Sequence, residues 1–174
     1  MKKIEDYVRS IPDFPEPGII FRDVTSILQD ADGLQLAIDE MQHFVEEVDC
    51  DVICGTESRG FIFGMPIAYN LHKPFVPIRK KGKLPLETIE ESYDLEYGSA
   101  TIEVHKDSIK PGQKVVIIDD LIATGGTVEA CAKMIERLGG EVTRIVFLME
   151  LAGLKGREKL AKYDVKSVIR YDGK

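Results

Sequence analysis

The period of the apolar positions changes several times along the chain, and each change marks a different element. Leu34, Ile38, Met41, Val45 and Val48 step by four, three, four and three, which predicts one buried face of a helix with Asp32 as its N-cap. Asp51-Val52-Ile53-Cys54, ended by Gly55, is a short apolar run and predicts a buried strand. Helical spacing returns over residues 60–72, where Pro66 must kink the helix or sit in a first turn. Phe75-Val76-Pro77-Ile78 is a weaker strand candidate, because Pro77 has no N–H to give to a ladder.

From Thr101 the period becomes two. Ile102 and Val104 alternate with Thr101, Glu103 and His105, as in a strand with one polar face. A turn at Lys110-Pro111-Gly112-Gln113 leads into Val115-Val116-Ile117-Ile118, apolar on both faces as a central parallel strand must be. Val128, Cys131, Met134 or Ile135, and Leu138 then resume helical spacing until Gly139-Gly140. Residues 142–151 and 165–171 are further strand candidates. Strands alternating with helices in this order predict one α/β domain with a mostly parallel sheet flanked by helices, whose ligands bind beyond the carboxyl ends of the strands.

Composition narrows the function classes. In 174 residues, 23 basic against 30 acidic side chains leave a formal charge of −7, which repels a phosphate polymer and argues against non-specific nucleic-acid binding. Three cysteines without a C-x-x-C pair do not make a disulfide scaffold, and Cys50, Cys54 and Met134 read as core. The opening MKKIEDYVRSIPDFPEPG meets acids and prolines before any signal-like apolar stretch, and nothing approaches the roughly 18 apolar residues of a membrane span. A cytoplasmic protein without membrane partners is expected. His43, His72 and His105 share no ligand spacing, so a structural zinc site is not expected.

The most informative stretch runs from Val115 to Thr127. A buried strand delivers Asp119 and Asp120 at its carboxyl end, and the turn Leu121-Ile122-Ala123-Thr124-Gly125-Gly126-Thr127 then opens a helix. Gly125 and Gly126 allow close approach of backbone N–H groups, Thr124 and Thr127 add hydroxyls, and the helix N-terminus adds partial positive charge. Those are the parts of a phosphate cradle. The turn has no lysine and the chain no G-x-G-x-x-G, so neither the Walker loop nor the dinucleotide fingerprint is present. Two acids beside an anion site need a reason. Carboxylates accept hydrogen bonds from a vicinal diol, so these residue types point to a sugar phosphate. The plainer reading is that Asp120 or Thr124 only caps the helix.

This thirteen-residue stretch resembles the phosphoribosyl-diphosphate signature of type I phosphoribosyltransferases. Phe14-Pro15-Glu16-Pro17-Gly18-Ile19-Ile20-Phe21-Arg22-Asp23, Glu57-Ser58-Arg59-Gly60-Phe61, Arg79-Lys80-Lys81-Gly82-Lys83-Leu84-Pro85 and Leu95-Glu96-Tyr97-Gly98 are similar, in the same order, to segments of the adenine-specific branch of that family. The resemblance implies a Rossmann-like fold with a small N-terminal hood (about residues 1–30) and a long flexible lid loop (about 79–98). It implies transfer of a phosphoribosyl group from phosphoribosyl diphosphate to adenine, giving AMP and pyrophosphate. Mg²⁺ would be held mainly by the diphosphate, with no direct protein ligand, and the protein would be a homodimer.

The resemblance also distributes roles. Asp119 and Asp120 would grip the ribose hydroxyls, and Ala123, Thr124, Gly125, Gly126 and Thr127 the 5-phosphate. Glu57, Ser58 and Arg59 would form a pyrophosphate loop with a cis bond between Glu57 and Ser58, joined by Arg79, Lys80 and Lys83 from the lid. On its own that cation run is more often just a solvated face. Glu96 would handle the proton of the adenine imidazole ring. Phe21 would stack on the base while main-chain groups of Ile20 and Arg22 read its edge, although by composition Phe21 could as well be core. A sister enzyme for hypoxanthine, guanine or orotate would carry the same acid pair and turn. A non-catalytic regulator on this fold would need an added helix-turn-helix or a basic face, and neither is visible.

Overall fold

The computed structural model describes residues 1–95 and 97–173. A 3₁₀ turn (Ile4–Tyr7) precedes a hairpin of β1 (Arg9–Pro12) and β2 (Ile20–Asp23), followed by a single-turn α1 (Thr25–Leu28). Then come α2 (Ala31–Glu46), β3 (Val52–Thr56), α3 (Arg59–Leu71), β4 (Phe75–Lys80), β5 (Thr88–Asp94) and β6 (Ser99–His105). The chain continues through β7 (Lys114–Ile122), α4 (Gly126–Arg137), β8 (Glu141–Leu151), a 3₁₀ turn (Ala152–Leu154), α5 (Gly156–Lys159) and β9 (Val165–Tyr171). Among the described residues no helix is long and apolar enough to cross a membrane.

Seven of these strands form one sheet in the order β5-β6-β4-β3-β7-β8-β9. β4, β3, β7, β8 and β9 run parallel, and β6 and β5 join antiparallel at one edge. Because β7 is apolar at consecutive positions, it feeds a core on each face. Val115 and Ile117 pack with Val128, Cys131, Met134 and Ile135 of α4. Val116 and Ile118 pack with Ile38, Met41 and Val45 of α2 and with Phe63 and Ile67 of α3. The strand order reverses at β3, whose sheet neighbours β4 and β7 lie on opposite sides. Such a reversal opens a crevice at the carboxyl ends, and here it falls between β3 and β7.

Several expectations shift in detail. α2 is capped by Asp30, not Asp32: its carboxylate accepts from the N–H groups of Asp32 and Gly33 at 2.9 and 3.1 Å. Pro66 lies inside α3. Pro77 is accommodated because β4 uses the groups of Pro74 and Ile78 toward β3, while β6 reaches β4 only at Arg79 and Lys80. Cys54 and Cys131 are fully buried, as core residues should be.

The segment 79–98 departs furthest from the expected long loop. Its middle is β5, paired with β6 from Thr88 opposite His105 to Asp94 opposite Ser99. Ile89 and Tyr93 pack against the core on the α4 side, and Arg137 of α4 donates to the Glu90 carbonyl at 2.8 Å. What remains irregular is a turn at residues 81–87 and the hairpin tip, where Leu95 N–H donates to Gly98 C=O at 2.9 Å.

Candidate active site

β3 and β7 run out side by side, with Gly55 opposite Ile118, so Thr56, Glu57, Asp119 and Asp120 emerge at one end of the sheet. The β3–α3 turn carries Glu57 and Ser58, joined by a cis peptide bond as expected, and Arg59 opens α3. Arg59 Nε lies 2.8 Å from Asp120 Oδ2 in an ion pair. The Asp120 side chain is 4% exposed, and this oxygen has no aligned hydrogen-bond donor among the described residues, so the contact is close but not directional. Arg79, at the end of β4, donates from Nε to Glu57 Oε1 at 2.8 Å.

Asp119 sits between this cluster and the next turn. Its Oδ1 accepts the N–H of Asp120 at 2.8 Å. Burial, then the charge of Asp120 and a side-chain hydrogen bond to it, hold the Asp119 carboxyl well above the usual carboxylate range, against the opposing pull of the Asp120 N–H and the Thr56 hydroxyl. Gly60 must lack a side chain here: a Cβ would stand 2.7 Å from Thr56 Oγ1 and 3.3 Å from Asp119 Oδ1.

Ala123 and Thr124 form the turn that follows, and Gly125 caps α4 at φ +86°, a conformation open to glycine at no steric cost. Gly126 and Thr127 occupy the first turn of the helix, where N–H groups have no intrahelical acceptor. A cleft of about 100 Å³ is lined by Asp119 and by Ala123, Thr124, Gly125, Gly126 and Thr127. That volume suits one phosphate-sized group and is too small for a purine. A more open hollow of about 560 Å³ lies beside Asp49, Asp51, Lys73 and Lys114, at the amino ends of β3 and β7. The smaller cleft is the chemically organised one, since the Asp119 carboxylate, two threonine hydroxyls and a helix N-terminus converge there.

Lys80 ends β4 and Lys83 lies in the turn after it. That turn is anchored by a residue whose role the alternation concealed. Glu103 of β6 was expected on a polar face, yet it is 4% exposed and accepts the N–H groups of Lys83 and Leu84 at 3.1 and 2.8 Å. Burial opposes its ionisation, but the N–H groups of Leu84, Gly82 and Lys83 and the neighbouring His105 outweigh burial and draw its carboxyl below the usual range. His105 Nε2 adds a 2.8 Å contact to the Pro85 carbonyl.

The hood residues have other partners. Phe21 meets Phe14 edge-on at 5.3 Å between ring centroids. Arg22 lies over the Tyr171 ring at 4.1 Å, and its Nη1 donates to Ser10 Oγ at 2.6 Å. Ile20 is 43% exposed. Glu96 lies outside the described residues. Thr56 belongs with the Glu57–Arg59 loop read from the sequence, whereas Glu103 and the segment around Gly156 are site elements missed there, and neither carried a usable signal.

The raised proton affinity of Asp119 has a definite sign for stability. A carboxyl that binds its proton more tightly when folded favours folding at low pH, and loses that contribution as pH rises through the folded value. Asp119→Asn keeps the acceptor oxygen and removes the charge. It is expected to raise Tm near neutrality, by roughly 2–4 °C per kcal/mol relieved. The gain should shrink toward zero as pH falls below about 3.9, the ordinary aspartate value. Thermal melts of both proteins between pH 3 and 8 check this, and a variant less stable at pH 7 would contradict it.

Residues 24–172 match the family described as phosphoribosyl transferase domain. The chain is 74% identical over 174 residues, covering both sequences completely, to an adenine phosphoribosyltransferase of Lachnoclostridium phytofermentans. Among solved structures, the adenine phosphoribosyltransferase of Thermoanaerobacter pseudethanolicus superimposes with a TM-score of 0.91 at 50% identity, covering 97% of this chain and 98% of that one. The Saccharomyces cerevisiae enzyme, solved with an imino-altritol bisphosphate and adenine, gives 0.87 at 40% identity, covering 95% and 96%. Sheet order, the Asp119–Thr127 cleft and these likenesses agree, and the chain belongs to the phosphoribosyl transferase family.

Proposed function

We propose that this protein transfers the 5-phosphoribosyl group of phosphoribosyl diphosphate to adenine, releasing AMP and pyrophosphate. The observation that carries the reading is the cleft in which a helix N-terminus and a Gly-Thr turn face Asp119, with the buried Asp120 next in the chain, in a protein 74% identical throughout to an adenine phosphoribosyltransferase. The 5-phosphate sits on the N–H groups of residues 123–127, where the α4 dipole favours negative charge. Asp119 and Asp120 accept the ribose hydroxyls. The Arg59–Asp120 contact then exchanges for two better ones, Arg59 on pyrophosphate and Asp120 on the sugar.

In the transfer, the glycosidic nitrogen of adenine forms its bond to the anomeric carbon as the bond to the pyrophosphate oxygen breaks, with inversion. Positive charge develops on the ribose, and the two carboxylates beside it stabilise that charge in a site with little water to screen it. Arg59, Arg79, Lys80 and Lys83 neutralise the departing pyrophosphate. Mg²⁺ held mainly by the diphosphate fits this site, because Asp119 has no ion-pair partner among the described residues; when bound, it would share in neutralising the leaving group. The segment from residue 81 to the hairpin tip closes over the centre to keep water from the ribose. Phe21 stacks on the base, the main chain of Ile20 and Arg22 reads its edge, and Glu96 takes the role the family resemblance gives it, handling the adenine proton.

We also propose a homodimer. Ile62, Met65 and Tyr69 form a stripe along α3, 40%, 50% and 84% exposed, and an identical stripe on a second copy is the partner of matching chemistry.

With radiolabelled adenine, hypoxanthine or guanine and equal phosphoribosyl diphosphate, label is expected to enter a mononucleotide from adenine far faster than from the others. Preference for another base would replace adenine and keep the reaction type. Asp119→Asn with Asp120→Asn is expected to cut turnover by about 100-fold or more, and a near-normal rate would remove the ribose assignment. Light scattering should give the mass of two chains at micromolar concentration, and Met65→Glu with Tyr69→Glu the mass of one. A wild-type monomer would refute the dimer.

A further inference from the structure

Behind the phosphate turn lies an ion pair that the reaction itself does not use. Glu150 is 3% exposed at the end of β8, opposite Ile122 of β7. Both its carboxylate oxygens lie near Arg157 Nε, at 2.6 and 2.7 Å, and Oε2 also accepts from Ser167 Oγ at 3.2 Å. Arg157 donates from Nη1 to the Val165 carbonyl at 2.9 Å and from Nη2 to Ser167 Oγ at 3.2 Å. A planar guanidinium fixed at three nitrogens leaves the backbone that carries it little freedom.

That backbone touches the turn. The residue before Arg157 is Gly156, whose carbonyl oxygen stands 2.9 Å from where a Cβ on Gly125 would lie. The Ala123 carbonyl oxygen stands 2.5 Å from where a Cβ on Gly156 would lie, with Ile122 Cγ1 at 2.7 Å. Ala123 and Gly125 therefore rest on Gly156 with no space between, and the ion pair decides where Gly156 sits.

We propose that Glu150 and Arg157 are positioning residues for the turn at 123–127, setting its N–H groups for the 5-phosphate of phosphoribosyl diphosphate and of AMP. The proposal rests on the reading of that turn as the phosphate site. Loss of the pair lets Gly156 drift, and a displacement of about 1 Å in a group that orients substrate is enough to weaken binding severely.

Arg157→Met and Glu150→Gln are each expected to raise KM for phosphoribosyl diphosphate and Kd for AMP by about 10- to 100-fold, with KM for adenine unchanged within about twofold. Arg157→Lys keeps the charge without the fork and should resemble Arg157→Met rather than wild type. Ser167→Ala removes one tie and should give a smaller rise in the same constants, which keeps the test open if Arg157→Met does not fold. Arg144 supplies the control. It pairs with Asp164 at 2.7 Å and Glu47 at 3.2 Å at the other end of β8, so Arg144→Met should lower Tm and leave KM for phosphoribosyl diphosphate alone. Unchanged KM and Kd in folded Glu150→Gln and Ser167→Ala would overturn the proposal. So would losses that fall equally on adenine and track Tm. The phosphate reading is checked separately by amide NMR: AMP that leaves the wild-type amides of 123–127 unshifted refutes that reading, whereas shifted wild-type amides with unaltered variant affinities refute only the positioning role.

Discussion

Two carboxylates stand on consecutive residues near the end of β7, Asp120 buried and Asp119 half-buried, and little positive charge faces them. Asp120 meets Arg59 without an aligned hydrogen bond, and burial and the charge of Asp120 both hold the Asp119 carboxyl above the usual carboxylate range. A fold selected for stability alone would avoid such a pair. The surrounding structure is arranged around it: a central strand covered on both faces to fix its direction, a strand-order reversal to open space beyond it, and two helices whose N-termini point the same way. On the proposed reading, ribose hydroxyls and developing positive charge would relieve that crowding.

The elements that hold the site lie outside it. Glu103 reaches from β6 to fix the turn that carries Lys83, and Gly156 reaches from α5 to support the turn that carries Gly125. In each case a buried carboxylate is the anchor: Glu103 directly, Glu150 through Arg157. Anchors of this kind are directional, since hydrogen bonds fix angles that apolar contacts leave loose. They hold backbone groups in place without lining the cleft themselves.

What could be read from the sequence followed from the range of each signal. β7 and the turn after it were legible because strand, acids, glycines and threonines are contiguous, and contiguous residues fold into a local unit whatever surrounds them. The two-faced core was legible for the same reason. β5 was not: Glu90, Glu91 and Asp94 crowd a seven-residue strand, and the Ile89–Tyr93 pair that seats it on α4 is too short a pattern to outweigh them. Glu103 was misassigned because alternation marks which face a residue occupies, not whether a distant turn comes to cover it. Gly156 and Arg157 gave no signal, since their partners come from other strands and become neighbours only in the folded sheet. The cap of α2 moved from Asp32 to Asp30 because both are good caps and only backbone geometry chooses between them.

β5 also has a duty at the margin of the sheet. It is the outermost strand on its side, paired with β6 alone, and an outer strand with vacant backbone groups invites another chain to add to it. Here that strand presents Glu90, Ser92 and Asp94 outward while Arg137 occupies the Glu90 carbonyl. The same carboxylates that make the segment look like a loop on paper thus serve as gatekeepers against self-association. A protein engineer who greased this strand to stiffen it would trade a charged edge for a template on which fibrils could grow.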